Sequence, residues 1–162
     1  MSRKRYYAVL LISLLLLNGS SAMAATSTLR ISGNILLPPP CVINGSDPIS
    51  VDFTDEVMTT RVDGTNYRQA VPYTLSCTGS ISNALKMKIQ GMDAGFGGTL
   101  QTTSANLGII FTTDSKKMPV NSWLNFNLPD PPKLFATLDK RPGTTLKAEP
   151  FTAAATMVVD YQ

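Results

Sequence analysis

Apolar and polar residues alternate along several short segments of the chain, and the last of these segments is the most regular. Between residues 151 and 161 every second position is apolar, whereas Thr152, Thr156 and Asp160 fall on the other face. The apolar positions are Phe151, Ala153, Ala155, Met157, Val159 and Tyr161. A period of two residues is typical of a strand with one buried face. The pattern therefore predicts a half-buried strand over 151–161.

Six further segments have the length and composition of strands, and no segment carries a helical stripe between good caps. The six segments are 29–37, 49–53, 70–77, 84–89, 107–113 and 133–138. Clusters of Gly, Pro, Asn and Asp separate them, and such clusters favour turns. Short strands at this spacing indicate an all-β, immunoglobulin-like sandwich.

Residues 1–24 have the three parts of a secretory signal peptide. Basic residues at the start precede an apolar run over 8–17, and Ala22 and Ala24 have the spacing that signal peptidase prefers. The apolar run is shorter than the roughly 20 residues that a membrane-spanning helix needs. We therefore expect cleavage after Ala24 and export of the remainder of the chain.

The charge of the chain gives no reason to expect a nucleic-acid partner. Three of the 14 basic residues and none of the 11 acidic residues lie in the signal peptide, so the remainder is close to neutral. The two adjacent basic pairs, at 116–117 and 140–141, lack the interleaved aromatic residues of a nucleic-acid groove. We expect both pairs to be solvated loop charges.

The residue types also argue against catalysis. The chain contains no His, which excludes Ser-His-Asp and Cys-His sites. Cys41 and Cys77 are expected to form a disulfide, because the signal peptide directs the chain to an oxidising compartment. Two thiols without a His also disfavour a metal site. We therefore expect no catalytic residue, no metal, no cofactor and no small-molecule substrate.

The segment 29–37 differs from the other predicted strands. Its apolar face consists of Leu29, Ile31, Gly33 and Ile35. A glycine weakens a strand and often marks a place where another group comes close. Three prolines at 38–40 then separate the segment from Cys41, and proline cannot donate to a ladder. The segment is expected to be mechanically detached from the domain that follows, and the alternative is an ordinary first strand of that domain.

Taken together, these features resemble a pilin subunit of chaperone-usher fimbriae. The resemblance is carried by the signal peptide, by Gly33 followed by Asn34, by the two cysteines, by LGI at 107–109 and by the alternating ending. The short N-terminal segment, and LGI followed by a loop and MPVN, most resemble the minor, adaptor-type subunits of type 1 and P pilus tips. The run AEPF at 148–151 departs from the family, whose members commonly carry a Gly shortly before this aromatic residue.

The resemblance implies an incomplete immunoglobulin-like sandwich that lacks strand G and has an open groove beside its last strand. In this view the alternating apolar residues Phe151 to Tyr161 form the acceptor wall of the groove. Leu29, Ile31, Gly33 and Ile35 form a donor strand that inserts into the groove of a neighbouring subunit, with Gly33 passing over a crowded place. Tyr161 and Gln162 form a C-terminus that the chaperone binds.

The implied domains are a signal peptide (1–24), an N-terminal donor-strand extension (25–37) and a pilin domain (38–162). The implied partners are a periplasmic pilus chaperone, an outer-membrane usher and neighbouring pilin subunits. The chain would pass through the periplasm to a fimbrium on the cell surface, where donor-strand exchange would make it a structural adaptor that supports cell adhesion.

Two other functions remain open at this level. The first is a major rod pilin of the same family. The second is a self-contained secreted carbohydrate-binding domain, for which the aromatic residues Tyr67, Phe96 and Trp123 could stack on sugar. These three residues are scattered along the sequence, and Trp123 is expected in the core or at its rim.

Overall fold

The computed structural model describes residues 27, 29–35, 37, 40–53 and 56–162. The predicted signal peptide lies outside the described residues. The chain divides into two units, Met1–Ile35 and Leu36–Gln162.

The second unit contains strands and two short 3-10 turns, at Asn44–Ser46 and Thr59–Arg61. The strands are β1 (Cys41–Ile43), β2 (Arg68–Ala70), β3 (Leu75–Cys77), β4 (Ala84–Gln90), β5 (Leu100–Gln101), β6 (Leu107–Thr112), β7 (Lys117–Met118), β8 (Leu124–Asn127), β9 (Phe135–Lys140) and β10 (Thr156–Tyr161). All of their pairings are antiparallel. The all-β class predicted from the sequence is confirmed.

Three sheets organise these strands. One has the order β10-β4-β8, another has the order β2-β9-β6-β5 with β7 also paired to β6, and β1 pairs with β3. Their inner faces share one core, to which β4 contributes Leu85 and Met87 and β9 contributes Leu138, all fully buried. Because the larger sheets meet through this core, the architecture is the sandwich that the alternation indicated.

The predicted disulfide is confirmed. Cys41 and Cys77 lie directly opposite each other on β1 and β3, with their Cα atoms 4.0 Å apart. The bond closes a sequence separation of 36 residues. In the chain-entropy account, closing such a loop stabilises a protein by about 4 kcal/mol.

Several predicted strands match the structure and others do not. β4, β6 and β9 lie within a few residues of the predicted 84–89, 107–113 and 133–138. The strand predicted over 151–161 is only partly correct, because β10 begins at Thr156, where β4 provides a ladder partner. The segment 70–77 instead divides into the end of β2 and the separate β3, with Pro72 between them, because proline cannot donate to a ladder.

The segments 29–37 and 49–53 show strand-like alternation but form no strand in their described residues. A strand is defined by its ladder, and the described residues of these two segments have no ladder partner. By contrast, β1, β5, β7 and β8 were not predicted, two of them because they are only two residues long.

The expectation that both basic pairs are solvated loop charges is wrong in part. Lys117 lies in β7 and Lys140 in β9. Arg141 is half-buried, and its guanidinium lies 4.8 Å from the centre of the Phe96 ring. The same guanidinium donates a hydrogen bond of 2.7 Å to the carbonyl oxygen of Ala94. Arg141 therefore has a packing role.

Tyr73, between β2 and β3, has a half-buried phenol ring with a polar contact. Its hydroxyl donates a hydrogen bond to the carbonyl oxygen of Pro132, in the connection between β8 and β9. Burial raises the pKa of Tyr73 to about 12, because the phenolate is less well solvated there than in water.

Candidate functional site

A groove of about 870 Å³ lies in the second unit, lined on one side by residues 49–53 and Val57 and on the other by residues from the range 148–157. Its floor consists of core side chains from both large sheets, including Ile89 of β4 and Phe111 of β6. The groove therefore opens directly onto the hydrophobic core. Apolar surface left open in this way is unfavourable in water.

One wall consists of residues 148–153, Ala155 and the β10 residue Met157, and β10 has a free edge. Among the described residues it pairs with β4 alone, from Thr156 opposite Gln90 to Tyr161 opposite Leu85. The N–H of Gln162 donates to the carbonyl oxygen of Ala84, at the next position of the same register. Because backbone groups alternate in direction along a strand, even-numbered residues of β10 bond to β4 and odd-numbered residues point away from it.

The same alternation continues before β10 begins. β4 ends at Gln90, and beyond that point Thr103 serves as the neighbour of Thr152. The N–H of Thr103 donates to the carbonyl oxygen of Thr152, and the N–H of Thr152 donates to Oγ1 of Thr103, both at 2.9 Å. Thr152 is even-numbered, so its backbone points to the same side as the even residues of β10.

The free edge thus includes all of the odd positions from 151 to 161. These residues are Phe151, Ala153, Ala155, Met157, Val159 and Tyr161, the apolar face that the sequence predicted. Phe151, Met157, Val159 and Tyr161 pack against the core. Phe151, Ala153, Ala155 and Met157 also line the groove. One set of residues therefore presents apolar side chains to the groove and backbone hydrogen-bonding groups to its open edge.

The free edge ends at Tyr161. The N–H of Tyr161 donates to its neighbour Asp160, at 2.8 Å from Oδ1. The Tyr161 hydroxyl accepts a hydrogen bond from the N–H of Ile81 at 3.2 Å. The side-chain amide of Gln162 donates to the carbonyl oxygens of Leu85 and Phe126, at 2.8 and 2.9 Å. These contacts fix the end of β10 against the adjacent strands.

The second wall is the segment around 49–53. Ile49, Val51 and Phe53 are half-buried and line the groove, while Ser50 and Asp52 between them are exposed. The segment has the alternation of a strand but pairs with no strand in the described part of the chain. Each wall is therefore an extended segment with an unpaired edge.

Aromatic rings narrow one end of the groove. Phe53 and Phe151 stand on opposite walls with their ring centres 6.0 Å apart, which is within the range of a favourable aromatic pair. The ionisable residues that line the groove are Asp52 and Glu149, one on each wall, and both are exposed. The site is thus apolar below and carries carboxylates at its rim.

The predicted donor residues belong to the first unit. Leu29, Ile31 and Ile35 are 81%, 87% and 100% exposed. Isolated exposed apolar side chains are common, but these three lie at odd-numbered positions of one short segment, with Gly33 in the gap between Ile31 and Ile35. This spacing is the pattern that an extended apolar groove can accommodate.

Sequence reasoning missed the second wall and the role of Glu149. The segment 49–53 was predicted as a strand, and its alternation could have suggested that it faces the groove. In the sequence, Glu149 was notable only because the run AEPF departs from a family pattern. Its hydrogen-bond partner Ser104 lies 45 residues away along the chain.

No group of three His, Cys, Asp or Glu residues within the described ranges could hold a metal ion. Likewise, no helix in the described part of the chain is long and apolar enough to cross a membrane.

A family model described as Fimbrial protein matches residues 29–162. The fimbrial-like protein YfcR of Escherichia coli (strain K12) is 41% identical over 150 residues, which cover 88% of this chain and 86% of YfcR. The fimbrial-like protein YfcQ of the same strain is 30% identical over 158 residues, covering 93% of this chain and 97% of YfcQ.

Solved structures show the same fold at lower identity. The P pilus adaptor subunit PapF matches with a TM-score of 0.57 and 22% identity, over 78% of this chain and 98% of PapF. The P pilus rod subunit PapA matches with a TM-score of 0.56 and 18% identity, over 83% of this chain and 100% of PapA.

Proposed function

This chain belongs to the Fimbrial protein family and is a chaperone-usher pilin, and on that premise we propose that it is a structural subunit that accepts a strand from one neighbour and donates a strand to another. The proposed role involves no catalysis. The finer assignment, taken from the sequence resemblance, is a minor adaptor subunit of a fimbrium that supports cell adhesion.

The observation that carries the proposal is the pairing of an open apolar groove with a free strand edge. Unpaired backbone groups and uncovered apolar side chains are both unfavourable in water. A single extended strand laid between 49–53 and 151–161 would satisfy both, since its backbone could bond to the walls and its side chains could cover the floor. This is β-strand addition, the mode of pilin donor-strand complementation.

The proposed donor is the N-terminal extension within residues 25–37. Leu29, Ile31 and Ile35 would enter the groove of a neighbouring subunit, and burying three such side chains contributes roughly 5–9 kcal/mol before ordering costs. Gly33 would let the donated backbone pass close to the floor of that groove. In the described segment, a Cβ added at Gly33 would meet no atom within 4 Å, so the glycine is not explained by crowding there.

A subunit with an open groove needs a temporary occupant before it joins a fibre. We assign this role to a periplasmic chaperone, which would also bind the C-terminal Tyr161 and Gln162, and assembly to an outer-membrane usher. Cleavage after Ala24 would deliver the chain to the periplasm, and assembly would carry it to a fimbrium at the cell surface. Family membership supports these partners and this location.

A major rod pilin is the second candidate within the family. The TM-scores for PapF and PapA differ by little, so the fold does not separate the two positions. Counting this subunit in purified fibres separates them: an adaptor occurs in trace amounts, whereas a rod subunit dominates the fibre. A dominant amount would overturn the adaptor assignment.

The secreted carbohydrate-binding alternative gains no support from Trp123. Its ring is 43% exposed, at the rim of the domain. The ammonium groups of Lys86 and Lys88 lie 5.0 and 4.7 Å from its centre. The two ammonium groups lie over the ring, in the space where a sugar would have to stack.

The experiment is thermal unfolding of residues 25–162, with the disulfide intact, in the presence and absence of a synthetic peptide that spans residues 26–37 of this chain or of a candidate neighbour. Without the peptide, we expect an aggregation-prone domain of low stability. The peptide should produce a strong and slowly reversible increase in Tm, because a ligand at about 100 times its Kd stabilises by about 2.7 kcal/mol.

Peptides that carry Gly33→Leu or Ile31→Lys are the matched controls. The leucine would clash with the groove floor and the lysine would place a charge there, so neither peptide should raise the Tm. A stable domain indifferent to every peptide would overturn the proposal. Fibres that assemble normally from full-length Gly33→Leu protein would show that the donor assignment is wrong.

A further inference from the structure

The loop between β5 and β6 holds the first part of the groove wall. The hydroxyl of Ser104 donates a hydrogen bond of 2.8 Å to Oε1 of Glu149. Next to it, Thr103 and Thr152 exchange the two hydrogen bonds of 2.9 Å described above. We refer to these four residues, Thr103, Ser104, Glu149 and Thr152, as the clasp.

The loop side of the clasp is fixed to the core. Thr102 and Ser104 are 7% and 4% exposed. Oγ1 of Thr102 lies 3.0 Å from the carbonyl oxygens of both Ser104 and Leu107, and it accepts a hydrogen bond from the N–H of Ser104 at 3.2 Å. Because these groups are buried and mutually bonded, the loop is a rigid support.

The wall side of the clasp needs that support. β4 ends opposite Thr156. The described residues from 151 to 155 therefore have no paired strand on the edge that continues the β4 side, and they have the open groove on the other edge. Pro150 fixes its own φ and biases the preceding Glu149 towards an extended conformation. The run AEPF, which departs from the family pattern, thus supplies both an extended start and the carboxylate that the buried Ser104 hydroxyl requires.

We propose that Ser104 and Glu149 are positioning residues for strand acceptance: the clasp keeps the wall at 151–155 extended while the groove is empty. The inference rests on the proposed function. An incoming strand then meets a wall that is already ordered, so less conformational entropy is lost on binding. Once the strand is in place, its own ladder holds the wall from the other side, and the clasp becomes redundant.

This division of roles predicts a kinetic signature. Loss of the Ser104–Glu149 bond of the clasp should slow association of the strand and leave its dissociation nearly unchanged. The probe is the fluorescently labelled peptide of residues 26–37, mixed with wild-type protein, Ser104→Ala, Glu149→Ala and Glu149→Gln. For both alanine variants we expect the association rate constant to fall about 5- to 10-fold, a size in keeping with the loss of one ordinary intramolecular hydrogen bond.

Two comparisons separate positioning from general stability. Glu149→Gln retains an oxygen acceptor and should recover most of the association rate. The double variant Ser104→Ala, Glu149→Ala should be no slower than either single variant, because both remove the same bond. Glu149 is exposed, so its variants carry the test even where Ser104→Ala does not fold.

Unchanged association, or dissociation that accelerates as much as association slows, would overturn the inference. So would an equal loss of Tm in the empty and filled protein, since that result indicates a merely structural contact. Failure of the wild-type protein to bind any strand peptide is a different result, because it overturns the proposed function and this inference with it.

Discussion

β4 and β10 are neighbours in one sheet and carry the same alternation, yet their inward side chains are buried to very different degrees. Leu85, Met87 and Ile89 of β4 are 0–4% exposed. Met157 and Val159 of β10 are only half-buried, although they face the same core. Within the described part of the chain, β4 has a strand on each side, whereas β10 has a strand on one side only.

The difference shows that alternation and burial answer separate questions. Alternation identifies which face of a strand is apolar, and the number of neighbouring strands determines how far that face is covered. A half-buried apolar face on an edge strand is therefore the feature to examine for a binding site.

The largest effect should come from truncating methionines at comparable positions of the two strands. Met87→Ala leaves a cavity in a closed core and should cost about 2–5 kcal/mol of unfolding free energy. Met157→Ala removes a side chain that is already partly solvated and should cost about 1 kcal/mol. Denaturant unfolding of both variants measures the difference.

Addition of the strand peptide should then reduce the difference between the free-energy costs of Met87→Ala and Met157→Ala. With the groove filled, Met157 becomes a core residue, so its truncation should approach the cost of Met87→Ala. Equal costs of the two substitutions in the empty domain would show that β10 is not an open edge.

A charge placed on each face of β10 tests the alternation itself. Val159→Asp directs a carboxylate towards the core and should cost about 3 kcal/mol and weaken peptide binding, because a desolvated charge without a partner is unfavourable. The matched control is Val158→Asp, on the other face and across from Lys88; this side chain is also half-buried, but the carboxylate can pair with Lys88, so the substitution should cost only about 1 kcal/mol. Similar losses for both variants would contradict the assigned faces.

Alkaline pH should lower the unfolding free energy of the domain through Tyr73, whether or not the groove is filled. The pKa of Tyr73 is about 12 in the folded protein and about 10 in an unfolded chain. The folded state keeps this proton where the unfolded state loses it, so the contribution of Tyr73 is full below pH 10 and falls between pH 10 and 12.

The measurement is the unfolding free energy against pH for wild-type protein and Tyr73→Phe. The phenylalanine variant should show a shallower loss in this window, with and without bound peptide. A loss confined to the empty protein would place the sensitive group at the groove instead.

The smallest effect should come from the outer face shared by the two strands. Lys86 and Asp160 are directly opposite each other, with Nζ 3.9 Å from Oδ2, and both are partly exposed. Exposed pairs of this kind contribute about 0.2–1 kcal/mol. Lys86→Ala should therefore shift the Tm slightly, and the shift should shrink at high salt. A loss above 2 kcal/mol would mean that the pair is not solvent-screened.

Much of the fold could be predicted from the sequence, because period-two alternation and turn residues are local signals. β4, β6 and β9 followed from them, as did the apolar face of β10. The short β5 and β7 could not be predicted, since two residues carry no period. The segment 49–53 shows the limit of the method: its alternation is correct, but whether a strand has a partner is decided far away in the chain.

The candidate site could likewise be predicted only in part. The apolar residues of 151–161 were visible as a pattern, because side-chain direction in an extended segment is set by parity alone. The contact between Ser104 and Glu149 was not visible, because it joins two loops whose approach depends on how the sheets pack.

The free edge of β10 also determines how an occupied groove would respond to mechanical load. Ladder hydrogen bonds run perpendicular to the strands. A pull along a strand bound between 151–161 and 49–53 would act on all of these bonds in parallel, in shear, and would not open them one after another. A joint of this geometry yields only when many bonds fail together, so a fibre linked through such joints would resist traction with no covalent bond between its subunits.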